Sequence, residues 1–280
     1  MVSHDVRKGR SAVTVLLLVA VLAASSGAVL VRLAHGLPPL TVAFWRTGLA
    51  AVALLPSWRS LGRKDSGLAG LAGLALACHF WTWFASLQRT TVLRSTLLVS
   101  STPVWAGLIG CVTGQDVPGW RFWFGVGIAT AGAWCSANAG LTGGDFLGDL
   151  LALLGAMFCA IYLSIGRDVR QRVGIGCYGT RICGSCATCL AIVAVVTGTS
   201  LWPTCARQWL AVCALAAGPQ LTGHIGFNFA LHHLPAWTVA AAGLLEPLGA
   251  TLLAALLLGE VPTANQIFGA VIVVAGLAVI

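Results

Sequence analysis

The triplet Asp116-Val117-Pro118, preceded by Pro103 and followed by Gly125 and Gly132, returns later as Glu260-Val261-Pro262, preceded by Pro247 and followed by Gly269 and Gly276. Each of these pairs is separated by 144 positions. A second echo lies upstream, where His79, Phe84 and Ala85 recur as His224, Phe229 and Ala230 at a separation of 145. The chain is therefore read as an internal duplication with a one-residue gap between the two blocks.

Composition decides the solvent. Of 280 residues, 58% are hydrophobic and only 9% charged, and the mean hydropathy is +0.90. Soluble domains carry about 25% charged residues, so this chain lacks the polar surface to face water and is expected to sit in a lipid bilayer. The net charge of +8 does not point to nucleic acid, because the basic residues cluster in gaps between apolar runs. Arg7, Lys8 and Arg10 form one cluster, Arg59, Arg63 and Lys64 another, and Arg167, Arg170 and Arg172 a third. Such clusters are topology signals. Cys183, Cys186 and Cys189 form a C-x-x-C-x-x-C series without a nearby histidine or acid. Small residues along one helix face account for that series, so no metal or cofactor is expected. The basic start, the apolar run Val13 to Ala24 and the small residues Ala23 to Ser26 imitate a cleavable signal peptide. Apolar character continues through Leu30, which favours a retained first span.

Ten spans of about 20 residues fit: Ser11–Leu33, Leu40–Trp58, Leu68–Leu87, Ser95–Gly114, Trp120–Asn138, Gly148–Gly166, Tyr178–Thr199, Gln208–Leu231, Trp237–Leu258 and Thr263–Ile280. The fold class expected is an all-α polytopic membrane protein. Its connections are short and rich in turn residues, as at Gly36 to Pro39 and Gly140 to Gly144. The last span reaches Ile280 without a polar tail, so a natural C-terminus lying beyond it is an expectation. With the N-terminus inside, the inner segments hold 11 basic residues and the outer ones 3, leaving aside Arg32 and Arg46 in the spans. The positive-inside rule then places both termini in the cytoplasm, with the chain in the inner (cell) membrane.

The two units, residues 11–138 and 148–280, each contain five spans. An odd number of crossings puts equivalent turns on opposite sides. The Asp116 turn, beside Arg121, is expected in the cytoplasm and the Glu260 turn outside. Two inverted five-helix repeats, related by a pseudo-two-fold axis in the membrane plane, give one chain two related shapes. Transport by alternating access follows from that symmetry.

Several stretches carry a resemblance. The first half has Leu37-Pro38-Pro39-Leu40 followed by Ala43-Phe44-Trp45-Arg46. The second has Gly223-His224, Asn228-Phe229-Ala230-Leu231, Pro235-Ala236, Glu246-Pro247 and Gly259-Glu260-x-Pro262 with Gly269. In this order the motifs resemble the drug/metabolite transporter (DMT) superfamily, specifically the EamA-type ten-transmembrane-helix permeases. One departure is Gly114-Gln115-Asp116, where family members more often have Gly-Glu; here the acid comes one position later. The resemblance implies movement of small metabolites, such as amino acids or related compounds. It also implies a cavity formed mainly by the first, third, fourth, sixth, eighth and ninth spans.

Eight residues are candidates for binding substrate. Glu246 sits mid-span beside Pro247, where an ionisable group costs roughly 2.5–3.5 kcal/mol and should face a cavity or partner. It is a candidate for a substrate amine or a coupling proton; a structural carboxylate bonded to a neighbouring helix is the alternative. His79 and His224 occupy equivalent places and suit a gate or proton relay, or else are packing residues that share ancestry. Asn228, one turn beyond His224, shares its helical face. Trp81 and Trp83 offer rings for a pocket, although many tryptophans serve as interfacial anchors. Arg46 offers a partner for an anionic group, or snorkels to the interface. Ser101, before Thr102-Pro103, either lines a kinked helix or satisfies backbone groups released by the proline.

No nucleotide-binding G-x-x-x-x-G-K-[ST] loop is present. The expected function is export of a small metabolite, with a proton as candidate coupling ion. Two rivals come from other classes: an intramembrane enzyme acting on a lipid-linked substrate, and a non-transporting sensor. The first needs a cluster of catalytic groups, and the spans supply little acid beyond Glu246. Oligomeric state is left open, a monomer being admissible.

Overall fold

A computed structural model describes residues 2–34, 36–90, 92–136, 145–259 and 261–280. The expected turns at Gly140 to Gly144 and at Glu260 lie outside the described residues. Ten helical segments run in chain order. They are α1 (Val2–Leu33), α2 (Pro39–Leu54, with a 3-10 turn at Leu55–Ser57), α3 (Arg63–Leu87) and α4 in two pieces (Val92–Val99 and Thr102–Thr113). There follow α5 (Trp120–Ser136), α6 (Phe146–Arg170), α7 (Ile175–Thr197), α8 (Ala206–Ala230), α9 (Ala236–Ala242, Gly243–Leu245 and Glu246–Leu258) and α10 (Ala264–Val279). Seven of them are long and apolar enough to cross a bilayer, and α1 and α10 contain shorter apolar helices.

Local chemistry sets the ends. Pro39 begins α2 and Pro103 lies in the first turn of the second piece of α4, positions where a missing N–H costs nothing. Asp145 caps α6 by accepting the Gly148 N–H at 2.6 Å. Thr263 and Gln266 form a reciprocal capping box at α10. Gly114, after α4, is left-handed at φ 69°, a conformation that glycine adopts without a Cβ clash. The break in α4 is closed by hydroxyls: Ser100 donates to the Thr96 carbonyl and Ser101 to that of Leu98.

The packing map repeats when every helix number is advanced by five. α3 packs on α6, as α8 packs on α1; α4 packs on α6, as α9 packs on α1. α2 packs on α7, α4 on α9 and α5 on α10, pairs that map onto themselves. These self-paired contacts mark a pseudo-two-fold axis.

The α5–α10 contact gives the sense of the relation. A Cβ added at Gly125 would lie 2.6 Å from the Gly276 carbonyl oxygen, and one at Gly132 would lie 2.8 Å from that of Gly269. The early glycine of one helix meets the late glycine of the other, so the helices run antiparallel. The four glycines repeated in the sequence are thus the ones that touch. Two copies of a five-helix unit whose equivalent helices cross antiparallel have opposite orientations in the bilayer, and the chain is an all-α membrane protein of two inverted five-helix repeats.

Tryptophans mark the rims. Trp58, Trp120 and Trp202 are exposed. Trp45, Trp202 and Trp209 cluster where the Trp45 indole donates to the Leu201 carbonyl at 2.5 Å. Ion pairs Arg89–Asp145 and Arg94–Asp149 tie the end of α3 and the start of α4 to the start of α6.

Candidate functional site

A polar cluster lies in the middle of the helices, assembled from both halves. Arg46 of α2 is buried. Its Nε donates to Oε1 of Gln220 at 2.8 Å, its terminal NH2 group lies 3.5 Å from the Pro219 carbonyl, and its guanidinium sits 4.7 Å over the Phe80 ring. It does not snorkel. The residues it holds belong to a π-helical stretch, Ala216–His224, in the middle of α8. Pro219 interrupts the usual hydrogen-bond ladder there, and a π segment is one way a helix absorbs the interruption. A buried cation from one repeat therefore braces an irregular turn of the other.

His79 and His224 both reach this region. Nδ1 of His79 donates to the Gly155 carbonyl of α6 at 2.9 Å, which leaves Nε2 of the neutral ring as an acceptor. Its ring stacks on Trp83, with centroids 5.8 Å apart. His224 packs edge-on against Phe80 at 5.5 Å, and its Nδ1 lies 3.5 Å from the Tyr162 hydroxyl of α6. Among the described residues the buried Trp83 indole N–H has no hydrogen-bond partner.

Glu246 sits where the 3-10 turn of α9 passes into the second helical piece. It is half-buried, and among the described residues no hydrogen bond or ion pair engages its carboxylate. Arg46 belongs to the other half of the protein, and among the described residues no salt bridge joins the two.

The remaining candidates are placed elsewhere. Trp81 lies on the outward face of α3, half exposed, beside a groove of about 180 Å³ that is also lined by Pro38, Leu40, Phe84 and Leu190. Residues 79 and 83 share a helix face and residue 81 points nearly opposite, as a 100° step requires. Asn228 is buried toward the end of α8, where its amide donates to the His224 carbonyl at 2.8 Å. The Ser101 hydroxyl is engaged by the Leu98 carbonyl at 2.6 Å. Tyr162, Gln220 and Phe80 belong to the cluster but were absent from the sequence reading. Pro219 was the available signal for the α8 irregularity, whereas nothing in the local sequence marked Tyr162 or Phe80.

The model of the EamA-like transporter family matches residues 10–137 and, a second time, residues 146–280. The chain belongs to this family, and it is a multi-pass membrane transporter of the DMT type. No curated protein matches the chain. A solved structure described as "Crystal structure of protein" superposes with a TM-score of 0.82, covering 96% of each chain at 19% identity. At that identity the likeness concerns the fold alone.

Proposed function

We propose that this transporter exports small metabolites, amino acids or related compounds, by alternating access. In this reading it resides in the inner membrane with both termini in the cytoplasm, and a proton is the coupling ion. The observation that carries the proposal is a buried Arg46 in one half, set over the Phe80 ring, and in the other half Glu246, whose carboxylate no hydrogen bond or ion pair engages among the described residues. A cation and an anion left apart in an apolar interior are costly unless something bridges them. A zwitterionic solute would do so, its carboxylate toward Arg46 and the unpartnered Trp83 N–H, its ammonium toward Glu246. The rings of Phe80, Trp83 and Tyr162 would cover its apolar part. Between solutes, a proton on Glu246 would remove the charge, which is how one carboxylate can serve exchange of substrate for proton.

Overexpression should protect cells against toxic levels of one chemical class when growth is screened against amino acids, their analogues and dyes. Glu246→Gln should abolish that protection at unchanged membrane abundance. Protection retained in full by Glu246→Gln would remove the carboxylate from the site. In proteoliposomes the solute identified by the screen should move faster under a pH gradient; equal rates with and without it would remove the proton.

A further inference from the structure

At one end of the bundle Arg167 joins α6 to the α4–α5 turn and to the end of α8, where the Gln171 amide reaches the same two carbonyls. Arg167, near the end of α6, donates from Nε to Oδ2 of Asp116 at 2.7 Å, and its NH2 group lies 3.5 Å from Oδ1. Its NH1 group donates to the carbonyls of Leu231 at 2.9 Å and His232 at 3.1 Å, at the end of α8. The Asp116 carbonyl in turn accepts the indole N–H of Trp237, in the first turn of α9, at 2.5 Å. Asp116 follows the α4 terminus and holds a positive φ of 50°, a left-handed conformation that aspartate tolerates better than most residues. The α4–α5 turn, α6, α8 and α9 are thereby clasped at one point, and the first half is fastened to the second.

The helices that meet at this clasp also supply the polar cluster: α6 carries Tyr162, α8 carries Gln220 and His224, and α9 carries Glu246. Arg167 is five residues beyond Tyr162 on the same helix, about 7.5 Å along the axis at 1.5 Å per residue. Beside the clasp a small void of about 10 Å³ is lined by Ile109, Gly110, Asp116, Ser164, Arg167 and Trp237. All donors and acceptors of the clasp are side chains or carbonyls of a turn and a helix end, so it can open without breaking a helix.

We propose that Asp116, Arg167 and Trp237 form the gate that closes this mouth of the transport path. Its opening accompanies the rocking of one half against the other that carries solute through. Transport itself rests on the family; that this mouth faces the cytoplasm rests on the proposed orientation. Arg167 is a positioning residue, acting through Asp116 and the α8 carbonyls, and does not itself touch the polar cluster.

The test places a cysteine at Ser164 in the full chain and follows its alkylation by a membrane-impermeant maleimide, read on the peptide containing position 164. Right-side-out and inside-out vesicles are compared. With the clasp intact the reaction should be slow. Asp116→Asn or Arg167→Gln should speed it about tenfold, the scale of a 1.4 kcal/mol shift in the open population. The charge exchange D116R/R167D should return the rate toward that of the intact clasp, a rescue that a merely unfolded variant would not show. Thermal stability in detergent identifies misfolded variants, and Arg167→Lys then serves as the milder substitution, expected to show an intermediate rate. Unchanged labelling in folded Asp116→Asn and Arg167→Lys would overturn the gate. The vesicle orientation that reacts reports the sidedness separately: reaction only in right-side-out vesicles would overturn the cytoplasmic placement but not the gate.

Discussion

Valine at Gly132 or Gly269 is expected to abolish accumulation of folded protein. At Gly132 the nearest neighbour is backbone of the facing helix, and at Gly269 the Ser136 hydroxyl is followed closely by the Gly132 carbonyl and the Ser136 nitrogen, so at both positions the way is blocked by backbone that cannot rotate away as a side chain would. A Cβ at Gly132 would meet the Val273 nitrogen at 2.7 Å and the Gly269 oxygen at 2.8 Å. Helices α5 and α10 would have to separate, losing the close backbone approach that replaces hydrophobic driving force between helices in lipid. Overpacking of one or two methylenes in a tight core costs about 1–3 kcal/mol, and valine adds three heavy atoms where there is room for none. Gly127, on the same helix, has no atom within 4 Å of an added Cβ. Gly127→Val should therefore be nearly silent. Monodispersity on size-exclusion chromatography and melting in detergent would measure the contrast. Equal behaviour of Gly127→Val and Gly132→Val would show that the α5–α10 crossing does not hold the halves together.

A second large effect is expected at Arg46. Arg46→Ala removes the donor to Gln220 and the charge that offsets Glu246, leaving buried polar groups without compensation. Each such group costs about 1–3 kcal/mol, so both stability and transport should fall. Glu246→Gln should cost stability less, because no hydrogen bond to its carboxylate is lost among the described residues. The double variant Arg46→Gln with Glu246→Gln separates the two roles. It restores charge balance, so it should be more stable than Arg46→Gln alone, a non-additivity expected of interacting groups. Transport should stay absent in all of these variants. Additive destabilisation would show that the two charges do not feel each other, and residual transport in the double variant would show that neither binds solute.

What the sequence made legible follows from which interactions are periodic. Ten apolar runs and the 144-residue echo reflect constraints felt along the whole chain, and the helices follow them with ends shifted by a few residues, except that α1 begins at Val2, well before the expected Ser11. The glycines at 125, 132, 269 and 276 were visible as a repeat, but their mutual contact was not, since nothing local says which helix a small face meets. Arg46 illustrates a pairing that only the fold reveals: its partner Gln220 lies 174 positions away. Tyr162 and Phe80 join the cluster through the same long-range packing. The placement of Trp81 opposite Trp83 was, by contrast, within reach of the sequence, because two residues two apart on a helix cannot share a face. In α8 the π-helical stretch is held by Arg46 from another helix, so Pro219 alone marked an irregularity and not its form.

The claim on which the rest depends is the antiparallel relation of the two halves, and the most direct measurement is the sidedness of their equivalent turns. Single cysteines at Gln115 and Val261 can be challenged in oriented vesicles with a membrane-impermeant maleimide, reading each peptide separately. The account predicts that the two positions react from opposite sides of the bilayer, position 115 from the cytoplasmic side. Reaction of both from the same side would contradict it.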